Sequence, residues 1–226
     1  VECITADALC KRLAKSMKLR IEAKLDATDL LITGIEASLW VGEQFACDLR
    51  GIFPQLNVVT CSSNKLLGLG MHETASVYFS GSDSVMERRI TKDTCVLMIS
   101  QSGQTFPTLH ATNRVAKITT ERTWILTGCF HSKMELALKE AYTAKGMHYG
   151  RNRVFNNYSG NRPAEPTSVA IAATIHTLTR LALHLIKVTR DRYPAGRLIH
   201  PWEYTRLCSV LKRFLMKCIQ KRRERS

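Results

Sequence analysis

Hydroxyl and amide side chains are concentrated in one short segment, residues 100–105. We call this segment the hydroxyl turn, and it reads Ser100, Gln101, Ser102, Gly103, Gln104 and Thr105. It follows an apolar run, Cys95–Ile99, that has the length and composition of a buried parallel strand. It precedes a predicted helix with Thr105 as N-cap and Pro107 in the first turn. The first N–H groups of a helix have no intrahelical partner and the helix dipole favours negative charge there, so the segment predicts a phosphate site.

The same residues also have an ordinary structural explanation. Ser, Gly and Thr are common turn and capping residues wherever a strand leads into a helix. Taken alone, the hydroxyl turn therefore leaves two interpretations open, a ligand site and a capped helix start. The elements around it bear on that choice.

Predicted strands and helices alternate along most of the chain. The strands are predicted at 30–33, 57–61, 95–99, 123–127 and, as a short one, at 153–155; the helices are predicted at 5–25, 38–52, after residue 105, and at 132–141, 167–190 and 201–225. A polar turn is predicted at 62–64, a loop at 79–84 within the poorly patterned residues 71–92, and a long polar loop at 149–166. This alternation predicts an α/β fold, a parallel sheet flanked by helices on both faces. In such sheets ligands bind at the carboxyl ends of the strands, which is where Ser38, Ser62 and Ser100 fall.

The hydroxyl turn resembles the phosphosugar-binding loop of the SIS (sugar isomerase) family, most closely that of the isomerase half of the glutamine:fructose-6-phosphate amidotransferases. In that family a strand enters a Ser-Gln-Ser-Gly-Glu/Gln-Thr turn and then a helix, and residues 100–105 match position by position. Residues 30–38, LLITGIEAS, are similar to the family's first strand and its Gly-x-Gly-x-Ser turn. Residues 164–170, AEPTSVA, are similar to the Glu-x-Gly-Val-Ala segment that opens its late helix, with one extra residue.

These three matches imply a flavodoxin-like or Rossmann-like SIS fold over about residues 30–187. They also imply a set of residues around a bound sugar phosphate: Ser38, Ser100, Gln101, Ser102, Gly103, Thr105, Glu165 and Val169. The resemblance implies no cofactor and no metal. For Glu165 an acid that balances the dipole of the following helix is the competing explanation.

Two departures from the family pattern bear on function. Glu36 stands where the family has its second glycine, and its charge would oppose a phosphate unless it turns away or pairs with a base such as Lys65. Arg50 and Gly51 stand where the family's catalytic glutamate would fall, and no second SIS copy is visible in the sequence. No catalytic residue is therefore predicted. His110 is interpreted as an exposed helix residue. His176 and His184 are interpreted as packing or dimer-contact residues.

The charge of the chain, formally +14, suggests a second surface. We divide the chain into an N-terminal helix (1–29), the SIS domain (30–190) and a basic amphipathic helix (191–226). Seven of the basic residues of the last segment lie within 212–225: Lys212, Arg213, Lys217, Lys221, Arg222, Arg223 and Arg225. Such a helix could lie on an anionic membrane or on RNA, or pack on the core with a solvated basic face. Nucleic acid is the less favoured partner, since the residues before the first strand are too few for the helix-turn-helix module of RpiR-type regulators.

Cysteine use and hydropathy indicate a cytoplasmic location, or the cytoplasmic side of a membrane. The eight cysteines are scattered, without Cys-x-x-Cys or zinc-type spacing, and several lie in apolar runs where free cysteine is a small buried hydrophobe. No continuous apolar run has the roughly 20 residues that a membrane span needs, and residues 1–9 lack the order of a signal peptide.

The sequence thus predicts a domain that binds a phosphorylated sugar of the fructose 6-phosphate or glucosamine 6-phosphate type. We expect it to act as a sensor or assembly module of a larger protein. The alternative is an aldose–ketose isomerase domain completed by a second SIS domain or subunit, in amino-sugar metabolism. A homo-oligomer or a second SIS domain is the expected partner.

Overall fold

The structure is a computed structural model that describes residues 2–24, 27–68, 76–80, 85–119, 121–150, 152–160 and 168–192. In chain order its elements are α1 (Glu2–Ala23), β1 (Leu30–Gly34), α2 (Ala37–Ile52), β2 (Val58–Ser62), α3 (Ser63–Gly68), β3 (Ser76–Ser80), β4 (Val85–Arg89), β5 (Cys95–Ile99), α4 (Phe106–Ile118), β6 (Thr123–Thr127), α5 (Lys133–Thr143), β7 (Val154–Asn156) and α6 (Ser168–Arg192). The basic helix expected within 191–226 and the candidate ligand residue Glu165 lie outside the described residues.

Five parallel strands form the main sheet in the order β2-β1-β5-β6-β7. Leaving out the separate β3–β4 pair, this is the doubly wound order 2-1-3-4-5 of flavodoxin-like folds. The prediction of an α/β fold with a parallel sheet is confirmed. The chain reverses its direction of winding between β1 and β5, which are hydrogen-bonded neighbours. Ligands bind in folds of this type at that switch point.

Alternate residues of the central strands face opposite layers of helices. On β1, Leu30 and Ile32 pack with α1, α2 and α6, whereas Leu31 packs with α3, α4 and α5. Buried side chains from both faces explain why the strands are continuous apolar runs in the sequence. The expected helices on both faces are confirmed.

Helix α1 crosses the amino edge of the sheet. Side chains at every fourth position reach the segments that precede three neighbouring strands: Arg12 bonds to Glu121 before β6, Ser16 to Asp93 before β5, and Arg20 to Asp29 before β1. A step of four helical residues advances about 6 Å, close to the spacing between strands of a sheet. The helix therefore fastens three strands at the edge opposite to the one where ligands bind.

Two local predictions are wrong. Residues 79–80, expected in a loop, end β3, which pairs antiparallel with β4 in a two-stranded sheet. Ser63 and Asn64, expected in a polar turn, begin the helix α3. Neither β3 nor β4 is a continuous apolar run, and the six residues of α3 are too few for helical periodicity to show.

Helix α6 is long and apolar enough to cross a membrane by length and composition, and it is the one such helix among the described residues. Packing accounts for part of this hydropathy, since 39% of the apolar window is buried. Leu178, Leu181, Leu185 and Ile186 are almost fully buried in the core layer shared with α1 and α2.

Candidate functional site

The turns after β1 and β5 meet at the switch point. A Cβ at Gly34 would lie 3.0 Å from the carbonyl oxygen of Ile99 and 3.1 Å from Cβ of Ser38. The absence of a side chain at Gly34 thus lets the last residue of β1 approach both the end of β5 and the start of α2. Ser38, half-buried in the first turn of α2, is positioned beside the start of the hydroxyl turn by this contact.

Three hydroxyl groups of the hydroxyl turn converge at the start of α4. Oγ of Ser100 lies 3.2 Å from Oγ1 of Thr105, and Oγ of Ser102 lies 3.5 Å from the same atom. Although Thr105 is the N-cap residue of α4, its side chain makes no capping hydrogen bond to the helix. The expected capping role is therefore not what Thr105 does in this structure. Its hydroxyl joins the other two, and the helix N-terminus is left uncapped by that side chain.

The position of Gly103 in the turn requires glycine, because its backbone has a positive φ and there is no space for a Cβ. Its φ is +62°, and a Cβ there would lie 2.3 Å from Cβ of Ser132 and 3.0 Å from Oγ1 of Thr127. The N–H of Gly103 donates to Oγ of Ser100 at 3.2 Å, and its carbonyl accepts from the N–H of Met134 at 3.0 Å. The hydroxyl turn is thus fixed against the N-terminus of α5.

The Gln101 side chain bonds to the loop that follows β7. Its Nε2 donates to Oγ of Ser159 at 2.5 Å and to the carbonyl of Gly160 at 3.1 Å. Its Oε1 accepts from Nδ2 of Asn157 at 3.0 Å. Gln101 was expected to contact the ligand; in this structure its amide connects two loops at the carboxyl edge of the sheet.

Glu36 has an unusual backbone conformation for a residue with a side chain. Its φ is +49° and its ψ is −123°, in a region that favours glycine. It is the N-cap residue of α2, its side chain makes no capping bond, and it is exposed. Lys65, its suggested partner, stands on α3 near the Cys61 thiol, whose pKa it lowers against the effect of burial.

The start of α6 lies at the carboxyl edge of the sheet. Thr174 is held there by Asn157, which directly follows β7. In the turns before Thr174, Ala170 is buried and Ile171 packs against the core, whereas Val169 is 52% exposed. Val169 therefore lies at the same edge of the sheet as the hydroxyl turn.

The histidines singled out in the sequence lie elsewhere. His110 is exposed on α4, and its ring stacks on Phe106 with centroids 4.2 Å apart. His176 is exposed on α6. His184 faces α1, with Nε2 3.7 Å from Oδ1 of Asp7. The interpretation of His184 as a packing residue is confirmed. Arg50, at the position of the family's catalytic glutamate, donates to the carbonyl of Val58 at 2.9 Å.

Burial keeps the thiols near the sheet protonated. It raises the pKa of Cys61 to about 11 and that of Cys95 to about 12. It also raises the pKa of Cys129, whose Sγ lies 3.8 Å from the carbonyl of Gln101. A thiol with a raised pKa is a poor nucleophile and a poor metal ligand. Within the part of the chain that the structure describes, no cluster of three His, Cys, Asp or Glu side chains could hold a metal ion.

Sequence analysis missed the residues that connect the loops, Asn157 and Thr174. Both are almost fully buried at the carboxyl edge of the sheet. The signal present in the sequence was an Asn-Asn pair directly after a short predicted strand, which is also typical of a simple turn.

No protein-family model matches the chain, and a search of curated proteins finds no match. Solved structures do match. A candidate phosphosugar isomerase involved in capsule formation from Bacteroides fragilis superposes with a TM-score of 0.54 at 13% identity, over 89% of this chain and 85% of that one. A candidate phosphosugar isomerase from Clostridium difficile gives 0.51 at 14% identity, over 92% and 51%. A candidate sugar-binding protein from Salmonella typhimurium gives 0.50 at 16% identity, over 93% and 53%.

This chain spans about half the length of the last two proteins. At these identities the superpositions show a shared fold. They agree with the strand order and with the helices on both faces of the sheet described above.

Proposed function

We propose that this chain, which has the SIS fold, binds a phosphorylated sugar with its phosphate at the hydroxyl turn. The observation that carries the proposal is the convergence of three hydroxyl groups at the start of α4, where Oγ1 of Thr105 lies 3.2 Å from Oγ of Ser100 and 3.5 Å from Oγ of Ser102. This cluster lies at the switch point of the sheet, where doubly wound folds bind ligands.

A phosphate suits this place for physical reasons. Hydroxyl groups and the first N–H groups of α4 supply hydrogen-bond donors, and the helix dipole supplies a partial positive charge. Charge-assisted hydrogen bonds to an anion are roughly twice as strong as neutral ones. The turn can therefore hold a phosphate without a lysine or arginine side chain.

The sugar would lie between the start of α2 and the start of α6. Ser38 and Val169 stand on those two helix starts. We assign the sugar contacts to these two residues and, on the sequence match alone, to Glu165. The resemblance to the SIS family favours fructose 6-phosphate or glucosamine 6-phosphate as the ligand, with a role in amino-sugar metabolism.

We assign the domain a sensing or assembly role in preference to catalysis. Moving a proton between adjacent carbons of a sugar needs a positioned acid or base. At the position of the family's glutamate this chain has Arg50, which is bonded to the backbone of β2. The alternative, an isomerase completed by a second SIS domain or subunit, predicts activity only when such a partner is present.

A second copy of the chain or a second SIS domain is the proposed protein partner. Ile175 is an apolar side chain of α6 that is 44% exposed and available for such a contact. The basic segment 191–226 is a candidate contact for an anionic membrane, in a protein that acts in the cytoplasm or on the cytoplasmic side of a membrane. Light scattering of the purified chain and vesicle flotation with and without anionic lipid test these two proposals.

Isothermal titration calorimetry tests the main proposal. We expect fructose 6-phosphate or glucosamine 6-phosphate to bind, and fructose and glucosamine to bind much more weakly, because only the phosphate uses the hydroxyl turn. Equal affinity for phosphorylated and unphosphorylated sugars, or binding of neither, would overturn the assignment.

A further inference from the structure

Asn157 uses its whole side-chain amide to join three parts of the carboxyl edge. Its Nδ2 donates to Oε1 of Gln101 at 3.0 Å and to Oγ1 of Thr174 at 2.8 Å. Its Oδ1 accepts from the N–H of Ser159 at 3.0 Å and from Oγ of Ser159 at 2.7 Å. An asparagine amide has two donor hydrogens and two acceptor lone pairs, so every one of them is used.

These partners come from separate elements. Gln101 belongs to the hydroxyl turn, Ser159 to the loop after β7, and Thr174 to α6. Asn157 is 7% exposed and Thr174 is 6% exposed, so the contact is shielded from water. A buried polar network that is fully satisfied holds its members in one arrangement, because breaking any bond leaves an unpaired buried group.

The network separates the two halves of the proposed ligand site. The phosphate would be held by the hydroxyl groups of the hydroxyl turn, which is also held, without Asn157, by the bonds of Gly103 to Ser100 and Met134. The sugar would meet residues 157–160 and the start of α6, and Asn157 holds both to the hydroxyl turn through Gln101 and Thr174.

We propose that Asn157 and Thr174 are positioning residues that hold the sugar-contacting start of α6 against the phosphate-binding turn. The inference rests on the proposed function, which it deepens. It assigns selectivity for the sugar to a hydrogen-bond network outside the ligand contacts, and selectivity for phosphate to the hydroxyl turn.

Thr174→Val is the test variant, because valine keeps the shape of threonine and removes the hydroxyl that Asn157 reaches. Thr179→Val is the matched control. Thr179 is on the same helix and its hydroxyl donates only within that helix, to the carbonyl of Ile175 at 2.8 Å, just as Thr174 donates to Ala170. A general effect of valine on the helix would appear in both variants.

Calorimetry with fructose 6-phosphate and with inorganic phosphate gives the deciding ratio. We expect Thr174→Val to weaken fructose 6-phosphate about tenfold, the scale of one lost hydrogen bond, and to leave inorganic phosphate unchanged. Thr179→Val should match the parent protein for both ligands. An equal loss for both ligands, or no loss for either, would overturn the inference, since a merely structural role does not change the ratio.

Hydrogen exchange of the unliganded protein tests the coupling without a ligand. The N–H of Gly128 donates to the backbone carbonyl of Gln101 at 2.9 Å and reports on the hydroxyl turn, and it should exchange at the same rate in all three proteins. The N–H of Ser159 donates to Oδ1 of Asn157 at 3.0 Å and reports on the network. Thr174→Val should speed the exchange of the Ser159 N–H, and Thr179→Val should not. If the parent protein binds neither ligand while this difference persists, the proposed function fails and the mechanical coupling stands. If the difference is absent, the positioning role itself is wrong.

Discussion

Replacing Glu36 with glycine should both stabilise the fold and tighten phosphate binding. Glu36 has φ +49° and ψ −123°, and a residue with a Cβ in such a region carries roughly 1–3 kcal/mol of backbone strain. Glycine relieves that strain but makes the unfolded chain more flexible, which costs about 0.4–1 kcal/mol. The expected net gain in the free energy of unfolding is about 1 kcal/mol, or roughly 2–4 °C in Tm for a chain of this size.

Glu36→Ala separates strain from charge. Alanine removes the carboxylate and keeps the Cβ, so it should leave the free energy of unfolding near that of the parent protein. Both variants should bind phosphate more tightly, by no more than about fivefold, which is the scale of like-charge repulsion through water. Lower ionic strength should widen the gap to the parent protein.

Urea unfolding and calorimetry at two salt concentrations measure these effects. A glycine variant no more stable than the alanine variant would refute the strain argument. Unchanged or weaker phosphate affinity in both variants would mean that the Glu36 carboxylate points away from the site or contributes a contact to the sugar.

Three further predictions concern the glycine of the hydroxyl turn, the buried ion pair and the absence of isomerase activity. Gly103→Ala should lower the free energy of unfolding by at least about 2 kcal/mol, since it adds a clash with Ser132 to the cost of a positive φ. Gly146 has φ +67° with open space around it, so Gly146→Ala should show only the cost of the positive φ in the same urea titration. Arg20→Met should lower the free energy of unfolding by about 3 kcal/mol at neutral pH, because it leaves the buried Asp29 carboxylate without its cation. Lys18→Met, which breaks an exposed ion pair, is the control and should lower it by about 0.5 kcal/mol. Burial raises the pKa of Asp29 above 3.8, so its carboxylate takes up a proton as pH falls towards that value. A protonated Asp29 does not need the cation, so the difference in free energy of unfolding between Arg20→Met and the parent protein should shrink on acidification. A difference that grows on acidification would be inconsistent with this assignment. The isolated chain should not catalyse exchange of the hydrogen beside the carbonyl of fructose 6-phosphate in deuterated water, as followed by NMR. Exchange that is abolished by Glu165→Gln would refute the assignment as a sensing or assembly module and would identify Glu165 as the base.

The central strands could be predicted from the sequence because helices cover both faces of the sheet, so apolar side chains are buried on each face. Cys95–Ile99 and Thr123–Thr127 are apolar runs bounded by polar turns, and the structure places β5 and β6 at those bounds. The β3–β4 pair was missed because neither SVYFS nor VMERR is a continuous apolar run, and the two strands pair only with each other, outside the main sheet.

The candidate site could be predicted only as far as local chemistry defines it. The hydroxyls of Ser100, Ser102 and Thr105 converge because they share one turn, so their composition was informative. The direction of Gln101 depends on Asn157, which is more than fifty residues away in the chain, and the role of Asn157 depends on Thr174. Contacts of that kind leave no local periodicity to read.

The most direct test of the central claim is the affinity of Ser100→Ala/Thr105→Ala for fructose 6-phosphate, measured by calorimetry. The account predicts a loss of a few kcal/mol, from two charge-assisted hydrogen bonds of about 1.5–3 kcal/mol each. Thr143→Ala is the control, since it removes an exposed hydroxyl bonded only to the Lys139 carbonyl at 2.9 Å, and it should bind like the parent protein. A folded double variant that binds fructose 6-phosphate as tightly as the parent protein would contradict the claim that the hydroxyl turn holds the phosphate.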